Sequence, residues 1–539
     1  MAPIGARRID FDELDASLTD EDEEQLHAVG IDRSTVRAQL ALLGGRPPTV
    51  ELDRACQAGD GIETLDAARA VALLEAHRRA AVSGRITQFV PASGGASRLF
   101  DDLVAVRARY PELDDAVLER LRTAPAGDER VCLEFLAHVD RFAFSGLLRT
   151  RMLASDLDLD AILAGGDRAL LLEQLLTERG LGFGALPKGL VPFHCYADGS
   201  RTAIEEHLVE ALASVAGLGV VPKVHVTVAS AHRRRMVQHL EAAAARLACD
   251  GRGPRIETSV SVQSPSTATL GVDGHGQPRR DATGRLMLWP GGHGALLSNL
   301  EALGGDVVFL RNVDNIGPDW LRDASVHWQR LLIGRLVELE ATVRVQLSRL
   351  DRATVGGAEL EAMEHFAARE LGLAALACGP RPVGDAARCR RLARALARPL
   401  RVCGVVPATG EPGGAPVWVR AADGMLSVQI VEATQVDRND SEQQRRFRTA
   451  PYLNPVFMAC AMRDHRGAAH RLAAFADPGA CMVASKTVDG SPVRVLEQPG
   501  LWNGGMAGWN TVLVEVPDSV FAPVKTVLDL LGPAHRSHA

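Results

Sequence analysis

Three stretches of the chain carry residue types suited to holding phosphate. The run FVPASGGASRLF (89–100) breaks from apolar residues into small ones and an arginine just before a helical pattern begins. Ser93, Gly94, Gly95 and Ser97 leave backbone N–H groups open to close approach, and Arg98 adds a planar fork of donors that matches phosphate oxygens. The run fits neither G-x-G-x-x-G nor G-x-x-x-x-G-K-[ST]. By itself it reads equally well as a phosphate loop or as a plain strand-to-helix turn.

The second stretch, LPKGLVPF (186–193), sets Lys188 between a proline and a glycine, with Pro192 close behind. Such a segment resists a regular helix, so the ammonium can be held in place. The chain has 60 basic residues but only four lysines, Lys188, Lys223, Lys486 and Lys525. Where arginine fills nearly every basic position, a lysine is a candidate for a place that needs a compact ammonium. The plainer reading is a surface lysine in a turn.

The third stretch, FLRNVDNIGPD (309–319), ends an apolar run in Asn312 and Asp314. A carboxylate at the carboxyl end of an α/β strand lies where ligands of such folds bind, and it is a hard oxygen ligand suited to Mg²⁺. The same residues also make an ordinary strand-ending turn. Two further features are Gln263, able to hydrogen-bond a base edge from a strand end, and the loop of Gly291, Gly292, His293 and Gly294. His293 reads equally as a turn residue with no ligand.

The elements that must position these residues alternate. ITQFVPA, VHVTVAS, IETSVSVQ and VVFLRNVDN read as strands, and SRLFDDLVAVRARY and SRTAIEEHLVEALASV read as helices; in the second helix Thr202 and Glu205 have capping-box spacing. The alternation predicts an α/β fold with a mixed, largely parallel sheet. Residues 1–83 carry helical periodicity and are expected to form a helical N-terminal region. The α/β domain is expected over 84–535, with helical insertions at about 101–180 and 318–400. In the second insertion Leu332, Leu336, Leu339, Val343, Leu347 and Leu350 keep the spacing of a packing face. The sheet is expected to resume after Val402.

Composition narrows the class. A net charge of -7 gives no general attraction to nucleic acid or an anionic membrane, so an anionic ligand must be held locally. Nine scattered cysteines without a C-x-x-C pair argue against a disulfide framework or structural zinc and fit a cytoplasmic setting. No signal-peptide pattern and no run of about 20 apolar residues is present, so neither export by that route nor a membrane span is expected.

In order along the chain, PASGGASRLF, LPKGLVPF, VHVTVAS, VSVQSPSTATL, WPGGHGALLSNLEAL and FLRNVDNI resemble the motif series of UDP-sugar pyrophosphorylases, nucleotidyltransferases of the GT-A (Rossmann-like) fold. The likeness is nearest to an uncharacterised bacterial branch, to which GEPGGAPVWV, PGLWNGGMAGWNTVLVEVP and APVKTVLDLL are also similar. The resemblance implies that Gly94, Gly95 and Arg98 hold a nucleoside triphosphate, that Lys188 lies against phosphates and that Asp314 binds Mg²⁺. It implies contacts to base and sugar through Gln263, Gly292 and His293. The sequence identifies no second carboxylate for the metal; Glu432, near VEATQ, is a candidate chosen without a motif. The glycines are displaced from the family's loop, and 90 residues (188 minus 98) separate the arginine from the lysine, where the family has a short loop.

The implied reaction joins an NTP, with UTP suggested by the resemblance, to a sugar 1-phosphate with release of pyrophosphate. Its nucleophile is already an anion and needs no dedicated base, which suits a sequence without a marked nucleophile-base arrangement. The alternatives are a GT-A glycosyltransferase that consumes a nucleotide sugar and a nucleotide-sugar-binding protein without catalysis.

Overall fold

The computed structural model describes residues 18–45, 49–94, 97–249, 255–352, 355–374, 376, 382–410, 413–421 and 424–536. The chain divides into two compact units. One comprises Met1–Thr87, Gln263–Leu310 and Arg330–Val516, the other Gln88–Val262, Arg311–Gln329 and Pro517–Ala539. Both are built from three separate stretches of sequence. The expected division at residue 83 therefore differs from the one observed, because strand pairing joins stretches that are far apart along the chain.

In the first unit Leu400–Pro407 pairs in parallel with Asn510–Glu515 and antiparallel with Phe457–Ala461. Gly61–Glu63 extends the sheet in parallel beyond Asn510–Glu515, followed by Gln57–Ala58. Two smaller antiparallel sheets accompany it. Leu52–Ala55, Ala415–Arg420 and Leu426–Val431 form one, and Leu288–Trp289, Thr269–Val272, Ser491–Glu497 and Met482–Val488 the other. The region read as helical does hold the helices Asp20–Ala28, Arg33–Gly44 and Ala67–Val82. It also contributes the three short strands between 52 and 63, which are two to four residues long. Strands that short show no alternation to detect.

In the second unit Ile86–Pro91, Lys223–Val228 and Glu257–Val262 pair in parallel. Parallel pairing runs through these three strands and through Leu400–Pro407, Asn510–Glu515 and Gly61–Glu63 of the first unit, while the smaller sheets are antiparallel, as expected for a mixed α/β fold. Between the first two of these strands the described residues form six α-helices, from Ser97–Arg109 to Arg168–Leu176, and then the helix Ala203–Ser214. Phe100, Phe135, Phe142, Phe144 and Phe183 form an aromatic cluster in their core, with ring centroids 5.0–6.4 Å apart. Leu99, Leu103 and Val106, all nearly inaccessible, turn the helix Ser97–Arg109 onto that core. A continuous buried cluster of this kind keeps the helical layer rigid.

Helix Asp319–Arg352 fills the start of the second expected insertion, and Leu332, Leu336, Leu339 and Leu347 are buried on its packing face. Among the described residues no helix is long and apolar enough to cross a membrane.

Candidate functional site

The site is assembled in the second unit on the helix Ala203–Ser214. Thr202 caps it, accepting from the Glu205 N–H while the Glu205 carboxylate accepts from the Thr202 N–H, which is the box read from sequence. Glu210 and His207 point from this helix at the stretch that follows strand Val307–Arg311. Glu210 accepts two bonds from Arg311, at 3.0 and 2.9 Å, and one from Ser325 at 2.8 Å. His207 Nε2 lies 3.3 Å from the Val313 carbonyl and Nδ1 3.4 Å from Gln88 Nε2. A carbonyl only accepts, so Nε2 carries the proton and the ring is neutral. These contacts fix the backbone on both sides of Asn312.

Burial holds His207 well below the usual imidazole range, at about 3, with Arg311 adding to the effect and the Val313 carbonyl opposing it. The unfolded chain takes up this proton near pH 6.5 and the folded one resists it. Stability contributed by the neutral ring is therefore complete above pH 6.5 and is lost as pH falls toward 3, at up to ~1.4 kcal/mol per pH unit. Urea midpoints measured between pH 7 and pH 4 should fall more steeply for the wild type than for His207→Gln. Equal slopes would show that His207 is not the titrating group.

Beyond Val313 the carboxylate of Asp314 meets two ammonium groups. Lys188 Nζ donates to Oδ2 at 3.1 Å, and Lys525 Nζ donates to both oxygens, at 3.3 and 3.2 Å. Lys188 also donates to the Val524 carbonyl at 2.9 Å. The backbone closes the same contact, since Val524 N–H donates to the Asp314 carbonyl at 2.8 Å and Ala522 N–H to Asn315 Oδ1 at 2.9 Å. Lys188 lies in the tight turn Lys188–Leu190, entered through Pro187, so the fixed ammonium expected from the sequence is present. The Lys188 side chain is 9% exposed and that of Lys525 44%, so one cation is seated and the other faces solvent. Burial raises the Asp314 pKa, and Lys525 and Lys188 together outweigh it, so its net shift is downward.

Asp314 does not offer a cradle for Mg²⁺. Both its oxygens face ammonium groups, and a divalent cation there would sit beside two positive charges. Among the described residues no group of three His, Cys, Asp or Glu side chains is placed to hold a metal ion.

The other residues singled out from sequence fall as follows. Ser93 is half-buried and Gly94 exposed just after strand Ile86–Pro91. Gly95 lies outside the described residues, as do the side chains of Ser97 and Arg98, which open the helix Ser97–Arg109. Asn312 is half-buried, and its carbonyl accepts from the Asn315 N–H at 3.1 Å. Gln263 is half-buried and follows strand Glu257–Val262.

Gly292, His293 and Glu432 belong to the first unit. There His293 Nδ1 accepts from the Leu501 N–H at 3.0 Å, its ring stacks on Trp502 at 3.9 Å, and its Nε2 lies 3.7 Å from Glu432 Oε1. Gly292 has φ +69°, and a Cβ there would stand 2.9 Å from Glu497 Oε2. A Cβ on Gly294 would stand 2.2 Å from the Pro499 carbonyl, a distance no side chain tolerates. Gly292 and Gly294 are thus required by the close seat of this loop against residues 497–499.

Lys525 is a functional candidate that stands in none of the three phosphate-suited stretches. The scarcity of lysine pointed to it as much as to Lys188, but nothing local in APVKTV shows which carboxylate it meets 211 residues away.

Fold and site together define a mixed α/β protein in which two lysines converge on one aspartate just beyond the carboxyl end of a strand. The chain belongs to the family described as a domain of unknown function, DUF4301, whose model matches residues 19–536. No curated protein matches it. Among solved structures it is similar to the uridine diphosphate N-acetylglucosamine pyrophosphorylase of Trypanosoma brucei, with 16% identity over 98% of this chain and 85% of that one and a TM-score of 0.46. It is also similar to a G45Y mutant of the UDP-glucose pyrophosphorylase of Leishmania major in complex with UDP-glucose, with 13% identity over 97% and 80% and a TM-score of 0.43.

Proposed function

We propose that the chain is a nucleotidyltransferase that joins an NTP, with UTP the first candidate, to a sugar 1-phosphate and releases pyrophosphate. The observation that carries this reading is the convergence of Lys188 and Lys525, two of only four lysines, on Asp314. It stands within a series of motifs whose order resembles that of pyrophosphorylases.

In the reaction a phosphate oxygen of the sugar phosphate attacks the α-phosphorus of the NTP. The bond from that phosphorus to the bridging oxygen breaks, and pyrophosphate leaves with its electron pair. Two polyanions must be brought together, so positioning and charge neutralisation are the main demands on the protein. Lys188, held by the Val524 carbonyl, can exchange its bond to Asp314 for one to a phosphoryl oxygen without losing its seat. Lys525 reaches the same place from the solvent side. Each ammonium that moves from carboxylate to phosphate keeps a charge-assisted hydrogen bond.

The test is a pyrophosphate-release screen of four NTPs against a panel of sugar 1-phosphates, run with Mg²⁺ and with a chelator. Release from one pair of substrates supports the reading, and the chelator arm tests the Mg²⁺ dependence that the resemblance implies. Stabilisation by UDP-sugars in a thermal-shift assay, without turnover of any pair, would favour a binding protein instead.

A further inference from the structure

The two segments that meet at Asp314 meet again at a second point. The Lys188 segment runs on into the hairpin of Pro192–Tyr196 and Gly199–Thr202, which carries His194. The Lys525 segment runs on through the turn Val527–Leu531 to His535. His194 Nε2 and His535 Nδ1 lie 2.8 Å apart, both rings are buried, and their planes differ by 10°.

The other nitrogen of His194, Nδ1, lies 3.0 Å from Oε1 of Glu206, a buried carboxylate in the first turn of the helix Ala203–Ser214. Glu206 also accepts from the Tyr196 hydroxyl at 2.7 Å and from Arg201 at 3.4 Å. A carboxylate only accepts, so His194 donates from Nδ1, and one proton is shared between its Nε2 and Nδ1 of His535. Burial holds His535 far below the ordinary imidazole range, at about 3, with His194 adding to the effect and the Pro523 carbonyl opposing it. The His535 ring is therefore neutral at neutral pH.

The segment 517–536 has little regular structure of its own. It contains the two short turns Asp518–Val520 and Val527–Leu531. Its place is set by apolar side chains, chiefly Val524, Val527, Leu530 and Leu531, and by polar bonds at its two ends. At one end are the bonds to Asp314, Asn315 and Lys188, and at the other is His535 on His194. We infer that His194 and His535 are a pair of positioning residues: they clamp this segment onto the Lys188 segment, so that the Val524 carbonyl stays on Lys188 and the Lys525 ammonium on Asp314. As an anchor of the segment the pair stands on geometry alone; its effect on turnover rests on the nucleotidyltransferase reading.

The experiment uses the full chain with His535→Ala and His535→Gln. Amide exchange at 522–526, where Ala522 and Val524 donate to Asn315 and Asp314, is expected to quicken by ~10-fold or more in His535→Ala, with the rest of the unit unchanged. Added imidazole, or the side-chain N–H of His535→Gln, is expected to slow it again. With an active substrate pair in hand, kcat/KM should fall by a similar factor, mainly through KM for the phosphorylated substrates, and recover with imidazole. Wild-type exchange at 522–526 in His535→Ala, or an increase spread evenly over the unit, would overturn the clamp. Quickened exchange with unchanged kcat/KM would overturn the positioning role. Quickened exchange in a protein whose wild type turns over no substrate pair supports the clamp and removes the nucleotidyltransferase reading.

Discussion

Lys188→Ala is expected to lower turnover by ~100-fold or more while leaving the protein folded. The expectation follows from how the ammonium is seated. The Val524 carbonyl and Asp314 hold it at 2.9 and 3.1 Å, and its side chain is almost inaccessible, so it acts where water screens charge poorly. The fold should survive because Asp314 keeps Lys525, with bonds to both its oxygens. Lys188→Arg is expected to fare little better than alanine. A planar guanidinium is a poor substitute for a compact ammonium held between the Val524 carbonyl and Asp314 in a closely packed turn, where even a Cβ added at Gly189 would stand 3.4–3.7 Å from Val313, Met236 and Ile204. Steady-state pyrophosphate release, measured beside a urea melt of each variant, separates loss of chemistry from loss of fold. Wild-type rates in both variants would remove Lys188 from the site.

The second large effect concerns stability. Glu210→Ala should cost about 3–5 kcal/mol, because it strands the Arg311 guanidinium in a place where both partners are within 2% of full burial. The reciprocal Arg311→Met should be of similar size. The double change Arg311→Met with Glu210→Leu is expected to recover most of the loss, since replacing a whole buried ion pair by apolar side chains is often neutral or stabilising. Chemical denaturation of the two single variants and the double variant forms a cycle that measures the coupling. Additive losses would mean that the pair does not act as a unit. Arg311 also ends the strand leading to Asp314, so the double variant is expected to fold and yet to lose precision at the site.

The parts of the site that could be read from sequence were those with local causes. Pro187 and Gly189 restrict the turn around Lys188, and the Thr202–Glu205 cap is a matter of three-residue spacing, so both were visible in short windows. The immediate surroundings of Asp314, Asn-Val-Asp-Asn, say only that a carboxylate stands at a strand end, which suits a metal ion or an ammonium group alike. What it meets is decided by Lys525, far along the chain, and two ammonium groups leave a different chemistry there. Around His293, likewise, the local sequence shows only glycines. The stacked Trp502 and the Leu501 amide that fix its tautomer arrive from a stretch some 200 residues later. The short strands at 52–63 and the three-part make-up of each unit were hidden for the same reason: pairing between remote segments leaves no mark on local periodicity.

The bond from Lys188 to the Val524 carbonyl spans 336 residues, and this sets a timetable for synthesis. At the usual pace of translation, about 5–20 residues per second, Val524 is made roughly 20–70 s after Lys188. Asp314 is made much earlier, 126 residues after the lysine. For most of that interval the nascent chain can pair Lys188 with Asp314 but cannot cover either, so a cation meant for burial stays in water. The site is thus expected to be among the last parts of the protein to close.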